Sequence, residues 1–158
     1  MKIQTSCFDL AQRYVGMEEI SGKMSNPAIL AMLRLDARWV EDDDTPWCSA
    51  FTNWIAWHLR LPRSKSLAAR SWLSVGRPIT LIEADAENDV VIFKRGGGSQ
   101  PGPEVLKAPG HVGFFARYEP ATQGAVGRVW VIGGNQSDAV TVAPFPEDRV
   151  LGVRSLLG

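Results

Sequence analysis

Residues 89–95 read DVVIFKR, where Val90 to Phe93 run without a polar break between Asp89 and Lys94. Such a short β-branched and aromatic run predicts a strand. Four more follow in HVGFFARYE (111–119), RVWVIG (128–133), AVTVAPF (139–145) and VLGVRSL (150–156). GGGSQPGPE (96–104) and PATQG (120–124) supply the loop and turn between them. Upstream of Pro78 the pattern is helical. SCFDLAQRYVG (6–16) places Phe8, Leu10, Ala11, Tyr14 and Val15 on one helix, with Gly16 as its stop. NPAILAMLRL (26–35) opens with Asn26 as N-cap and Pro27 at the first helical position. PWCSAFTNWIAWHLR (46–60) is a third helix, capped by Thr45, with Pro46 in its first turn and Pro62 at its end. SLAARSWLSVG (66–76) is a fourth. Helices first and strands second predict an α+β fold, with helices packed on a mostly antiparallel sheet of about five strands.

The chain has 158 residues, which predicts one domain with a core of its own. Its 17 basic and 17 acidic residues cancel. That balance argues against a general nucleic-acid binder and against electrostatic capture by membranes. Two cysteines, Cys7 and Cys48, make no disulfide framework. MKIQTSCFDLAQRYVG lacks the apolar run of a signal peptide. No stretch approaches the roughly 20 apolar residues that span a bilayer. The expectation is a monomer, soluble as made in the cytoplasm and without membrane insertion; work outside the cytoplasm would need another carrier.

Cys48 raises the chemical question. A free cysteine is most often a small buried hydrophobe. Here it falls near a helix start, about the third helical residue, where unpaired N–H groups and the helix dipole favour a thiolate. The acidic run Glu41 to Asp44, read as a surface loop, opposes that. A nucleophilic thiol also needs a base. His58 lies ten residues on in the same helix, roughly 15 Å away along its axis. His111, in APGHVGFF, starts a strand, and Gly110 and Gly113 leave room around it. A base histidine needs an orienting partner. VIGGNQSD, at the end of the next strand, offers Asn135, Gln136 and Asp138, with Asn135 beside two glycines. The bland alternatives are a surface histidine, an Asn-Gly type turn, and core tryptophans at 54, 57 and 72. No C-x-x-C or H-x-x-x-H pair supports zinc, and Asp42 to Asp44 lack the alternate spacing of a calcium loop. Neither metal nor cofactor is expected.

Taken together, these pieces resemble the CHAP family of cysteine, histidine-dependent amidohydrolases and peptidases, within the papain-like NlpC/P60 superfamily. DDTPWCSAFTNWIAW resembles the nucleophile helix, SLAARSWLSVG the helix after it in one bacterial and phage subgroup, and DVVIF the first strand of the sheet. GHVGFF resembles the histidine strand and VIGGNQSDAVTVAPFPEDRVLGVR the closing strands, so the likeness spans residues 1–158 as one domain. It implies Cys48 as nucleophile, His111 as general base and Asn135 as the polar third residue, with Gln136 as runner-up. Trp47, Gln136 and Gly110 are the secondary or substrate-contacting residues. Two departures stand out. Asn88-Asp89 replaces the Gly-Asp of many relatives, and Gly133 stands where some carry a glutamate.

The resemblance implies hydrolysis of an amide bond in peptidoglycan, either a stem-peptide bond or the muramoyl–alanine amide. The enzyme would act in the cell wall (periplasm), after holin-type release in phage or prophage lysis or as a toxin delivered by a secretion system. A toxin implies an immunity protein that plugs the cleft. The competing readings are a catalytically silent wall-binding or phage structural module, and a cysteine protease or transamidase acting on proteins.

Overall fold

A computed structural model describes residues 4–22 and 24–158; the first three residues of the N-terminal stretch lie outside it. Helix α1 (Cys7–Gln12) opens on a complete capping box. Ser6 accepts from Asp9 N–H, and the Asp9 carboxylate accepts from Ser6 N–H. Helix α2 (Pro27–Arg34) starts as expected, with the Asn26 side chain accepting from Ala28 N–H and Pro27 in the first turn. Helix α3 (Cys48–His58) starts two residues later than the sequence suggests. Trp47 is its N-cap and no side chain caps it, so Thr45 does not fill that role. Cys48 is therefore the first helical residue rather than about the third. The segment expected as a fourth helix is a short stretch of 3₁₀ helix, Ala69–Ser74.

Six strands form one sheet. They are β1 (Arg77–Ile79), β2 (Asp89–Lys94), β3 (Gly110–Glu119), β4 (Arg128–Gln136), β5 (Ala139–Pro146) and β6 (Val150–Ser155). The spatial order is β1-β6-β2-β3-β4-β5, and every neighbouring pair is antiparallel. The five expected strands are present, and the short edge strand β1 is the addition. The last strand returns to pair with β2, which becomes a central strand. This explains the unbroken run VVIF: a strand flanked on both sides and covered on both faces has no polar face to show. Val90 and Ile92 join Val112, Phe114 and Ile132 in the core beneath α3, while Val91 and Phe93 join Phe115, Val129 and Val131 on the other face.

Helix α3 is the centre of the helical layer. Residues Cys48 to Asn53, Ile55 and Ala56 are all buried. Its buried polar groups are stitched to the following segment: Ser49 Oγ donates to Ser66 O at 2.6 Å, and Trp72 Nε1 donates to Ser49 Oγ at 3.0 Å. Gly134 of β4 lets the helix start approach the sheet. A Cβ there would stand 2.6 Å from Trp47 Cζ3 and 2.8 Å from Phe51 Cβ. Of the three tryptophans read as core, Trp72 is fully buried, Trp54 is half-buried and Trp57 is exposed. The acidic run is not wholly a surface loop either. Asp43 is buried, and its carboxylate accepts from Ile20 N–H at 3.2 Å and Asn26 N–H at 2.7 Å. Among the described residues, no helix is long and apolar enough to cross a membrane.

Candidate active site

Cys48 and His111 meet at the start of α3, both buried. Burial alone would raise the Cys48 thiol. It is outweighed by the hydrogen bond and charge of His111, then by Val112 N–H and the Arg95 charge, so the thiol sits below its ordinary value. His111 answers in the opposite sense. Burial, which would lower it, is outweighed by the thiol's hydrogen bond and charge and by Gln136, so the imidazole is raised. The two shifts oppose each other and share a cause, so the thiol and the imidazole titrate as a coupled pair. The acidic run takes no part in this; Asp43 and Asp44 act on Glu19 instead.

The well-aligned hydrogen bond of the imidazole goes to Gln136, from Nε2 to Oε1 at 2.9 Å. The amide's orientation is fixed from its other end. Gln136 Nε2 donates to Thr141 O at 2.8 Å and to Thr141 Oγ1 at 3.0 Å. That leaves Oε1, which can only accept, facing the ring. His111 Nε2 therefore carries a proton, and Nδ1 is the nitrogen left for the thiol. Phe145 stacks on the ring with centroids 4.9 Å apart, and Phe93 lies 6.3 Å away, both within 30° of parallel. The imidazole is held in plane and in tautomer.

Asn135 does not hold this place. In β4 and β5, Gly133 pairs with Thr141 and Gln136 with Ala139, so β4 carries one residue more than its partner between these pairs. This is a β-bulge. It reverses the alternation and turns Gln136 to the face of Gly133 and the imidazole; a Cβ on Gly133 would meet Gln136 Oε1 at 2.6 Å. Asn135 absorbs the bulge with φ of 56° and lines the cleft instead.

Two secondary residues also differ from expectation. Trp47 is fully buried, its Nε1 donating to Glu19 Oε1 at 2.7 Å, so it packs the helix start and offers no face to a substrate. Gly110 makes room for packing: a Cβ there would lie 2.9 Å from Arg70 Cγ and 3.2 Å from Phe93 O. His58 is exposed at the far end of α3, its Nδ1 2.9 Å from Trp54 O.

Sequence reasoning passed over Arg70. It is fully buried and, among the described residues, has no carboxylate bound to it. Its Nε donates to Pro109 O at 3.0 Å, and its Nη1 to the carbonyls of Pro101, Gly102 and Val105 at 2.7–3.1 Å. The guanidinium thus gathers the loop that leads into His111. The available signal was a lone arginine inside the apolar stretch LAARSWL.

Cys7 is buried and unpaired, like Cys48. Burial, reinforced by the Asp89 charge, pushes its thiol up to about 12. Among the described residues, no group of three His, Cys, Asp or Glu side chains converges as a metal site. Comparison with protein-family models, with curated proteins and with solved structures finds no match for this chain.

Proposed function

We propose that the protein is a cysteine amidohydrolase or peptidase of the papain-like NlpC/P60 and CHAP type, with Cys48 as nucleophile, His111 as general base and acid, and Gln136 as the orienting amide. The observation that carries this reading is the chain Thr141–Gln136–His111–Cys48. It fixes the imidazole tautomer that a thiol nucleophile requires.

The Cys48 thiolate attacks the amide carbonyl carbon, and the C–N bond breaks as the His111 imidazolium protonates the leaving amine. The resulting thioester is opened by water, one of whose protons passes to His111 as the carboxylic acid forms and the sulfur departs; the thiolate and imidazolium are thereby restored. The uncapped first turn of α3 leaves the Cys48 backbone N–H as an oxyanion donor. The substrate class is peptidoglycan, on the sequence resemblance, cut at a stem-peptide or muramoyl–alanine amide in phage lysis or by a delivered toxin. The mutual perturbation of Cys48 and His111 favours this over a silent module.

The test is mass spectrometry of muropeptides after digestion of purified peptidoglycan. New amine and carboxyl ends from the wild type, and none from Cys48→Ala, are expected. Intact muropeptides from an enzyme whose thiol alkylates rapidly at neutral pH would move the reading to a protein substrate.

A further inference from the structure

Beside His111 the surface opens into a cleft of about 430 Å³, inside the range of roughly 300–1,000 Å³ typical of small-ligand sites. Its lining includes the apolar Ala143 and Phe145 and the cationic Lys94, Arg95 and Arg149, and no acidic side chain. None of the three cations is ion-paired among the described residues, where the ion pairs are Arg63–Asp36, Arg117–Glu119 and Arg128–Glu119. The neighbouring carboxylate of Glu147 is taken by Tyr118 Oη at 2.6 Å. Overall the chain is neutral, so three unanswered positive charges at one cleft are a local concentration.

The fold brings them together. Lys94 ends β2 one residue beyond Phe93, which pairs with His111, and Arg95 follows it. Arg149 immediately precedes β6, whose first residue, Val150, pairs with Phe93 from the other side. The Arg149 guanidinium donates to Gly96 O, which anchors it and leaves its other N–H groups unused. Tuning of the thiol does not account for the group. Arg95 is the least of the influences on Cys48, and neither Lys94 nor Arg149 is among them.

We propose that this cleft is a carboxylate-binding subsite, which selects peptide substrates carrying a free carboxylate beside the scissile amide. The peptide part of this assignment rests on the amide-hydrolase reading; the carboxylate part rests on Lys94, Arg95 and Arg149. Arginine offers paired N–H donors that match a carboxylate, whereas a carboxamide returns only one acceptor oxygen and no charge.

The experiment is titration calorimetry of the Cys48→Ala protein with two synthetic peptidoglycan stem peptides, one with free side-chain carboxylates and one with the same groups amidated. The free form should bind at least about tenfold more tightly at low salt, with the margin narrowing as salt rises. The margin should fall below about twofold in Arg95→Gln/Arg149→Gln. It should also shrink in Lys94→Gln/Arg95→Gln, which leaves the Arg149–Gly96 brace intact, and survive in the exposed control Lys65→Gln. Equal affinity for the two peptides, or binding of neither, overturns the subsite. Wild-type digestion of the same peptides separates the two claims. A carboxylate preference in binding without hydrolysis sinks the hydrolase reading and keeps the subsite, and equal binding with hydrolysis of both does the reverse.

Discussion

Cys7 and Cys48 occupy the same position in two helices: each is the first residue, of α1 and of α3. A helix N-terminus favours a thiolate at both. Yet the Cys7 thiol is pushed up to about 12, while that of Cys48 is lowered. At α1 the capping box uses the first turn, and the Cys7 N–H donates to Asn88 Oδ1 at 3.0 Å. Burial and the Asp89 carboxylate then act in the same direction. At α3 burial acts the same way, but the imidazole, Val112 N–H and Arg95 overrule it. The helix end is a shared background of a fraction of a kcal/mol to about 1 kcal/mol. What separates the two thiols is the group placed opposite.

The largest effect should come from exchanging the two cysteines for alanine. Cys48→Ala should lose at least about 10³-fold in amide turnover, as expected on removing a covalent nucleophile. Cys7→Ala should keep turnover within about twofold and cost roughly 1–2 kcal/mol of stability, from a small cavity in a buried site. A dead but folded Cys7 variant in a turnover assay would break the comparison.

His111→Ala tests the cause of the difference directly. With the imidazole gone, the strongest influence that lowers Cys48 is lost, so the thiol should titrate higher than in the wild type. Alkylation by iodoacetamide should reach half its plateau rate at a lower pH in the wild type than in His111→Ala, with one thiol labelled in the folded protein. In turnover, the acid limb reports loss of the first proton from the Cys48–His111 pair and the alkaline limb loss of the second. The lowered thiol and raised imidazole widen the window between these limbs. An unchanged alkylation profile in His111→Ala would assign the reactive thiolate to another cause.

Next in size is the orienting amide. Gln136→Leu should reduce turnover about 10–100-fold, by the measure of partners that orient a functional histidine. Asn135→Ala should reduce it less than about threefold, with some loss of stability from alanine at φ of 56°. Steady-state kinetics that reverse this order would return the third role to Asn135. The smallest effect is expected from Asp89→Asn. It removes the lesser of the two influences on Cys7 and should leave that thiol slow to alkylate at neutral pH.

The pattern of what the sequence disclosed is physical. Helix α2 and the five longer strands were legible because apolar periodicity and, at Asn26, N-cap chemistry are local properties. Gln136 was placed second because Asn135 was read as ending the strand beside two glycines, whereas β4 runs on to Gln136 through a bulge. The bulge at Asn135 is a backbone event with no side-chain signature, and it exchanges the faces of the residues beyond it. The late start of α3 has a similar origin: Trp47 is taken into the core against Gly134, and tertiary packing overrides the capping preference of Thr45. Asp43 was read as solvated because its partners, Ile20 N–H and Asn26 N–H, come from a distant loop.

Arg70 also governs where this chain can be lengthened. Its guanidinium fastens Pro101, Gly102, Val105 and Pro109, so the second half of the β2–β3 connection is tied down before it delivers His111. The first half is held differently: Gly96, Gly97 and Gly98 are exposed, and a Cβ on Gly97 or Gly98 would meet nothing. An epitope tag spliced after Gly97 should therefore leave the alkylation rate of Cys48 unchanged, whereas the same tag after Glu104 should slow it. The protein would then have a tolerant seam for added sequence within one loop of its candidate site, and a single buried cation would mark where that seam ends.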